Sequence, residues 1–194
     1  MLPLASRDNP NSIAVTEPCW LAADHHSDAP DSPLIDWLTD QGSLTQRLTA
    51  AGDGEFAVEL LRQCEAPARA DEAAALGVPT GSPLWIREVM LWSAGQPRVF
   101  ARSAATTASV SAAGLDLQRL GTRSLGELLF SHPEIQRGPL EISRYPADWL
   151  PIGRQEQGCW ARRSLFRRSG LQLLVCEVFL GAWQQLVSTP LSSH

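Results

Sequence analysis

The stretch from Cys159 to Leu180, CWARRSLFRRSGLQLLVCEVFL, constrains the fold more than any other. Two apolar-rich runs flank Ser169-Gly170, a pair suited to the tight turn between antiparallel strands, because glycine accepts the positive φ that such a turn requires. A two-residue turn sets the register of the whole hairpin. Arg168 then faces Leu171, Phe166 faces Leu173, Ser164 faces Val175, Arg162 faces Glu177 and Trp160 faces Phe179, all on one face of the sheet.

On that face Glu177 stands among Leu173, Val175 and Phe179, where a carboxylate gains no water and must find a cation or a ligand. Two readings stay open. One is a cross-strand ion pair with Arg162. The other is a carboxyl whose proton affinity has been tuned by apolar walls, as at a functional site.

A chain of 194 residues that is 44% apolar buries one sizeable core and needs no second domain. The formal charge of -5 argues against a general nucleic-acid binder, whose phosphate contacts need an excess of Lys and Arg. Cys19, Cys64, Cys159 and Cys176 show neither CxxC spacing nor a paired His motif, which points to free thiols and no metal site. Asp24, His25, His26 and Asp28 read as solvated loop residues. The N-terminus lacks the pattern of a signal peptide, and no apolar run could span a bilayer, so the expected location is cytoplasmic.

Residues 1–32 read as an irregular extension rich in Asp, Pro, Ser and Ala, docked at most by Trp20 and Leu21. A short helix over Pro33 to Thr39 follows. Ser43 and Gln46 then stand in capping-box spacing, which puts Leu44 at the first helical position with an unpaired backbone N–H. Gly54 to Cys64 alternates as a strand, and Pro67 to Pro79 is Ala-rich and acidic, a helical connection or flap.

A second hairpin, LWIREVMLWSAGQPRVFARSA, turns at Ala94-Gly95. Counting outward sets Leu91 opposite Arg98, Val89 opposite Phe100 and Arg87 opposite Arg102. Opposed arginines on an apolar face repel, which suggests that an anion neutralises them. The competing reading is a bulge at Pro97 that shifts the register and sends one arginine elsewhere.

Leu115 to Leu120 forms a helical turn closed by Gly121, and Ser124 with Glu127 repeats the capping-box spacing, so Leu125 begins a helix running to about Phe130. A carboxylate lying where the two capped N-termini meet would gain their backbone donors. Ile135 to Tyr145 supplies another alternating stretch. Arginines 162, 163, 167 and 168 are divided by alternation between two faces and read as a solvated edge. The expected fold is α+β: one domain over residues 33–182, a six-stranded antiparallel sheet with helices on one side and flaps over a ligand, followed by a tail over 183–194.

DWLTDQGSLTQRL, LWIREVMLWSAGQPRVFARS, LQRLGTRSLGELLF and the C-terminal hairpin occur in an order and spacing that resembles the bacterial chorismate pyruvate-lyases, which make 4-hydroxybenzoate for ubiquinone synthesis. The resemblance covers most of the chain after Pro33. It implies a lyase without a cofactor, acting on chorismate, with a ligand buried beneath helical flaps; a monomer is expected. It matches the family's ligand-binding arginine to Arg87 and its glutamate to Glu177, and it puts backbone contacts to the ligand carboxylate at Leu44 and Leu125. Arg102 is a candidate for the enolpyruvyl carboxylate. Whether Glu177 takes the ring proton or only orients the substrate stays open. Leu44 stands where a family member carries Met. Ala161 stands where Gly precedes the paired arginines, a change expected in the pocket wall. The alternative is a non-catalytic domain of the same architecture that binds small carboxylate effectors in transcription regulators, although the N-terminal stretch is too irregular for a DNA-binding helix-turn-helix.

Overall fold

The structure, a computed structural model, describes residues 17–188. Its frame is one antiparallel sheet of seven strands: β1 (Phe56–Pro67), β2 (Pro83–Ser93), β3 (Gln96–Thr106), β4 (Gln136–Arg137), β5 (Glu141–Arg144), β6 (Trp160–Arg168) and β7 (Leu171–Phe179). The order across the sheet is β1-β2-β3-β7-β6-β4, and β5 also pairs with β6. Seven strands replace the expected six because the stretch after Ile135 is divided in two. Gly138 still donates to the Leu165 carbonyl, but Pro139 has no N–H to continue the ladder, and pairing resumes at Glu141.

The β6–β7 hairpin keeps the expected register, with Arg168 opposite Leu171, Ser164 opposite Val175 and Arg162 opposite Glu177. Gly170 at its turn has φ 78°, the left-handed conformation that favours glycine. In the β2–β3 hairpin the turn also falls at Ala94-Gly95, with Ser93 opposite Gln96 and Trp92 opposite Pro97. The next pair, however, is Leu91 with Val99, so Arg98 is an extra residue. This bulge beside Pro97 moves every later position by one, and a one-residue shift sends a side chain to the other face. Arg87 therefore faces Ser103, while Arg102 faces Glu88. The opposed arginine pair does not form.

Helices cover both faces of the sheet, not one. On the first face α1 (Leu34–Leu38) and α2 (Leu44–Ala51) bury Trp37, Leu38, Leu44 and Leu48 against Val89, Leu91, Val99 and Phe179. Farther along the same face α4 (Thr107–Ala112) and α5 (Leu125–Phe130) bury Val110, Leu125 and Leu129 against Trp85, Phe166 and Leu173. On the opposite face α3 (Ala70–Leu76) packs Ala73 and Leu76 against Leu84, Ile86, Ala104 and Leu174. The segment expected as a flap thus docks on the sheet's far side. Ala161 also lies there, opposite Val178 and packed among Phe100 and Tyr145, so it forms no pocket wall.

The N-terminal stretch is tied down by paired hydrogen bonds between Leu21 and Ile142, by Trp20 Nε1 donating to Asp71, and by His26 Nε2 against the Ile142 carbonyl. Trp183, at the start of the expected tail, is buried between Trp37 and Phe179 and followed by α6 (Gln184–Ser188). All four cysteines are free. Among the described residues no helix is long and apolar enough to cross a membrane.

Candidate active site

Between the sheet's first face and the N-termini of α2 and α5 lies a cavity lined by Leu44, Arg87, Leu125, Arg137, Arg162 and Glu177, with apolar walls that include Val89, Leu91, Phe130 and Phe166. The caps expected from sequence are formed. Ser43 Oγ accepts from the Gln46 amide, and Ser124 Oγ accepts from the Glu127 amide at 3.1 Å. Each cap leaves the first amides of its helix, those of Leu44 and Thr45 and those of Leu125 and Gly126, without an intrahelical acceptor. The two N-termini touch: Thr45 Oγ1 lies 2.7 Å from Ser124 Oγ. Gly126 permits this approach, because a Cβ there would stand 3.0 Å from Thr45 Oγ1.

Arg87 enters the cavity from β2 and is 2% exposed. Its Nη2 donates to the Gly121 carbonyl at 2.9 Å and the Arg123 carbonyl at 3.0 Å, so the side chain braces the turn that leads into Ser124 and α5. Its Nε is buried without any acceptor. Among the described residues no carboxylate pairs with it, and burial pushes its guanidinium down to about 10. A buried cation without a counter-charge is costly unless an anion joins it. Ser103, opposite Arg87, is a small residue lining the same cavity.

At Glu177 the cross-strand ion pair is formed, and the same side chain lines the cavity. Arg162, directly across the hairpin and 1% exposed, donates from Nε to Glu177 Oε2 at 2.6 Å, and it anchors the chain before α2 through the Trp37 and Asp40 carbonyls. The Glu177 carboxylate also lines the cavity. Its ionic contacts run through Oε2, which leaves Oε1 available to a ligand.

Arg102 is placed elsewhere. On the opposite face its Nε donates to Glu72 at 2.6 Å, its Nη2 to the other oxygen of Glu72, and its Nη1 to Glu88. Burial would lower its proton affinity, but the two carboxylates outweigh it and hold the guanidinium more strongly protonated than usual. Arg102 does not line the cavity. Of the four arginines expected at a solvated edge, Arg162 and Arg163 are buried, and Arg163 pairs with Glu141 at 2.8 Å and Asp71 at 3.6 Å.

Ser103 and Arg137 are among the cavity residues that the sequence did not single out. Ser103 was displaced by the wrong register, and Arg137 sits on a strand of two residues, too short to show alternation. Arg137 is 10% exposed at its side chain. Burial and the repulsion of Arg162 push it down to about 10, against the pull of Glu177 and Asp40.

The fold is shared with the effector domain of PhnF from Mycobacterium smegmatis, with a TM-score of 0.50 and 14% identity over 74% of this chain and 91% of that one. A PhnF C-terminal domain gives a TM-score of 0.52 at 18% identity, covering 64% and 82%. Sequence relatives are far closer. "Probable chorismate pyruvate-lyase 2" of Pseudomonas entomophila (strain L48) is 49% identical over 178 residues, 91% of this chain and 95% of the relative. "Probable chorismate pyruvate-lyase" of Pseudomonas aeruginosa (strain PAO1) is 50% identical over 167 residues, 86% and 93%. With the family model described as Chorismate lyase matching residues 14–188 as well, the chain belongs to the chorismate lyase family.

Proposed function

We propose that this chain converts chorismate into 4-hydroxybenzoate and pyruvate, using the cavity beneath α2 and α5. The observation that carries the reading is Arg87, a buried cation with no acidic partner among the described residues, held beside two helix N-termini that meet. The ring carboxylate takes the fork of Arg87 and the amides of Leu44 and Leu125, in a site where donors are fixed before the ligand arrives. The ring hydroxyl lies against Glu177 Oε1.

The reaction breaks the C–O bond of the enolpyruvyl ether and removes the ring proton from the carbon bearing the hydroxyl. The electron pair of that C–H bond completes the aromatic ring, and the departing enolpyruvate becomes pyruvate on protonation. Aromatisation drives the step, so the protein contributes mainly orientation and electrostatic stabilisation of the departing anion. Two routes carry the ring proton to the enolpyruvate: direct transfer within the substrate, or relay through Glu177. Glu177→Gln separates them.

The loop before Leu44 and α2 acts as a flap over the bound ring. The protein works in the cytoplasm as a monomer and supplies 4-hydroxybenzoate to ubiquinone synthesis. The second reading, an effector-binding domain, rests on the fold shared with the PhnF domains. Incubation of purified protein with chorismate decides between them. Equal amounts of pyruvate and 4-hydroxybenzoate are expected; folded protein that binds chorismate and releases neither product overturns the lyase reading.

A further inference from the structure

Chorismate carries two carboxylates, and Arg87 with the helix amides accounts for one. The cavity contains no other helix-capped donors, so the second must meet a side-chain cation. Arg102 is excluded by its orientation and by its two acidic partners. Arg162 is already neutralised: Nε serves Glu177 at 2.6 Å, and Nη1 serves the Trp37 carbonyl at 2.7 Å and the Asp40 carbonyl at 2.9 Å, which leaves only its Nη2 without a hydrogen bond among the described residues.

Arg137 differs. Its Nε donates to Ser164 Oγ at 2.8 Å, and Nη1 reaches the carbonyls of residues 40–42, with Gln41 nearest at 3.1 Å. Nη2 makes no hydrogen bond among the described residues and lies 4.0 Å from Glu177 Oε2, beyond hydrogen-bond reach. Phe166 and Phe130 flank the guanidinium, at 5.4 and 5.9 Å from their ring centroids, and keep it from bulk water. Three arginines and one glutamate line the cavity, a formal +2 that matches a dianion and not a monoanion.

We propose that Arg137 is a substrate-binding residue whose Nη2 takes the enolpyruvyl carboxylate of chorismate, beside the ring hydroxyl on Glu177. This rests on the lyase reading of the cavity. The same guanidinium holds the loop over residues 40–42 that enters Ser43 and α2, so the second carboxylate and the flap share one anchor. After the ether breaks, Arg137 stabilises the leaving enolpyruvate, whose carboxylate it already holds.

The test compares two ligands on Arg137→Gln and Arg137→Lys. 4-Hydroxybenzoate lacks the second carboxylate and feels only the loosened 40–42 loop, so its affinity in calorimetry should fall by less than about fivefold, while kcat/KM for chorismate falls about 10- to 100-fold in the Gln variant. Lys should restore part of the loss, because it returns charge without the planar fork. Equal losses for both ligands, no loss for either, or failure of both variants to fold would overturn the assignment. If Gln alone fails to fold, Lys decides, with a chorismate-selective loss expected. Should wild-type protein bind chorismate without turnover, the lyase reading falls. Direct titration of chorismate into the same variants then judges Arg137 separately, a selective loss of chorismate affinity upholding it and unchanged affinity refuting it.

Discussion

Arg87 and Arg102 sit on adjacent strands, each almost wholly buried, yet they live in opposite electrostatic worlds. Arg102 lies on the α3 face between Glu72 and Glu88, and Arg163 on that face likewise has Asp71 and Glu141. Arg87 lies on the cavity face with only carbonyl oxygens for company and one N–H unsatisfied. Burial is the same and neutralisation is not. A face whose ion pairs close upon themselves serves the fold, whereas a face left short of negative charge is built for an anion that arrives from outside.

The largest effect should come from breaking the closed side. Arg102→Met leaves the buried carboxylate of Glu72 and the partly buried one of Glu88 without their cation and should cost about 3–5 kcal/mol of stability, read by urea unfolding. An unfolding midpoint within error of wild type would show that the α3 face does not depend on this network. Arg87→Lys breaks the open side instead. It should leave stability nearly unchanged but remove about 2 kcal/mol of transition-state binding, roughly 30-fold in kcat/KM, because an ammonium lacks the fork. Unchanged turnover in the folded variant would take Arg87 out of the site.

Glu177 stands between the two types, paired to Arg162 yet open to the cavity, and Glu177→Gln sharpens the contrast. If it assists the chemistry, turnover should fall about tenfold or more while affinity for 4-hydroxybenzoate falls less. Lost stability with an intact single-turnover rate would return Glu177 to the closed class. The smallest effect is at Gly126. Alanine there should stabilise α5 by up to about 1 kcal/mol, yet its Cβ crowds Thr45 and should weaken product affinity a few-fold. Tighter binding would show that the contact between the helix N-termini does not shape the carboxylate site.

Much of this was legible in the chain. The Ser169-Gly170 turn dictated which residue faces Glu177, and the two serine caps marked Leu44 and Leu125 because cap chemistry is local. What failed was non-local or too short to show a pattern. Alternation alone could not choose between an even register and the bulge that Pro97 offered as the competing reading; the bulge forms at Arg98, and that single residue moves Arg102 from the cavity to the α3 face. The apolar side of α3 shows that it packs, but not on which face of the sheet. Arg137 depends on two residues of pairing before Gly138-Pro139 interrupts the strand. The PhnF domains share the fold, so the arrangement of charge on the cavity face, rather than the fold itself, carries the functional argument.

Arg87 is held ready for a carboxylate, and it contributes far less to holding the fold than Arg102 does. Titration of 4-hydroxybenzoate into wild-type and Arg87→Met protein by calorimetry, with thermal unfolding of both ligand-free proteins, tests it directly. Wild type should bind saturably and the variant at least about 30-fold more weakly, about 2 kcal/mol, while the ligand-free melting temperature should fall far less than in Arg102→Met, because losing the donor to Gly121 and Arg123 is offset by removing a buried cation without a counter-charge. Wild-type affinity in Arg87→Met, or a collapse of its stability like that expected of Arg102→Met, would contradict it.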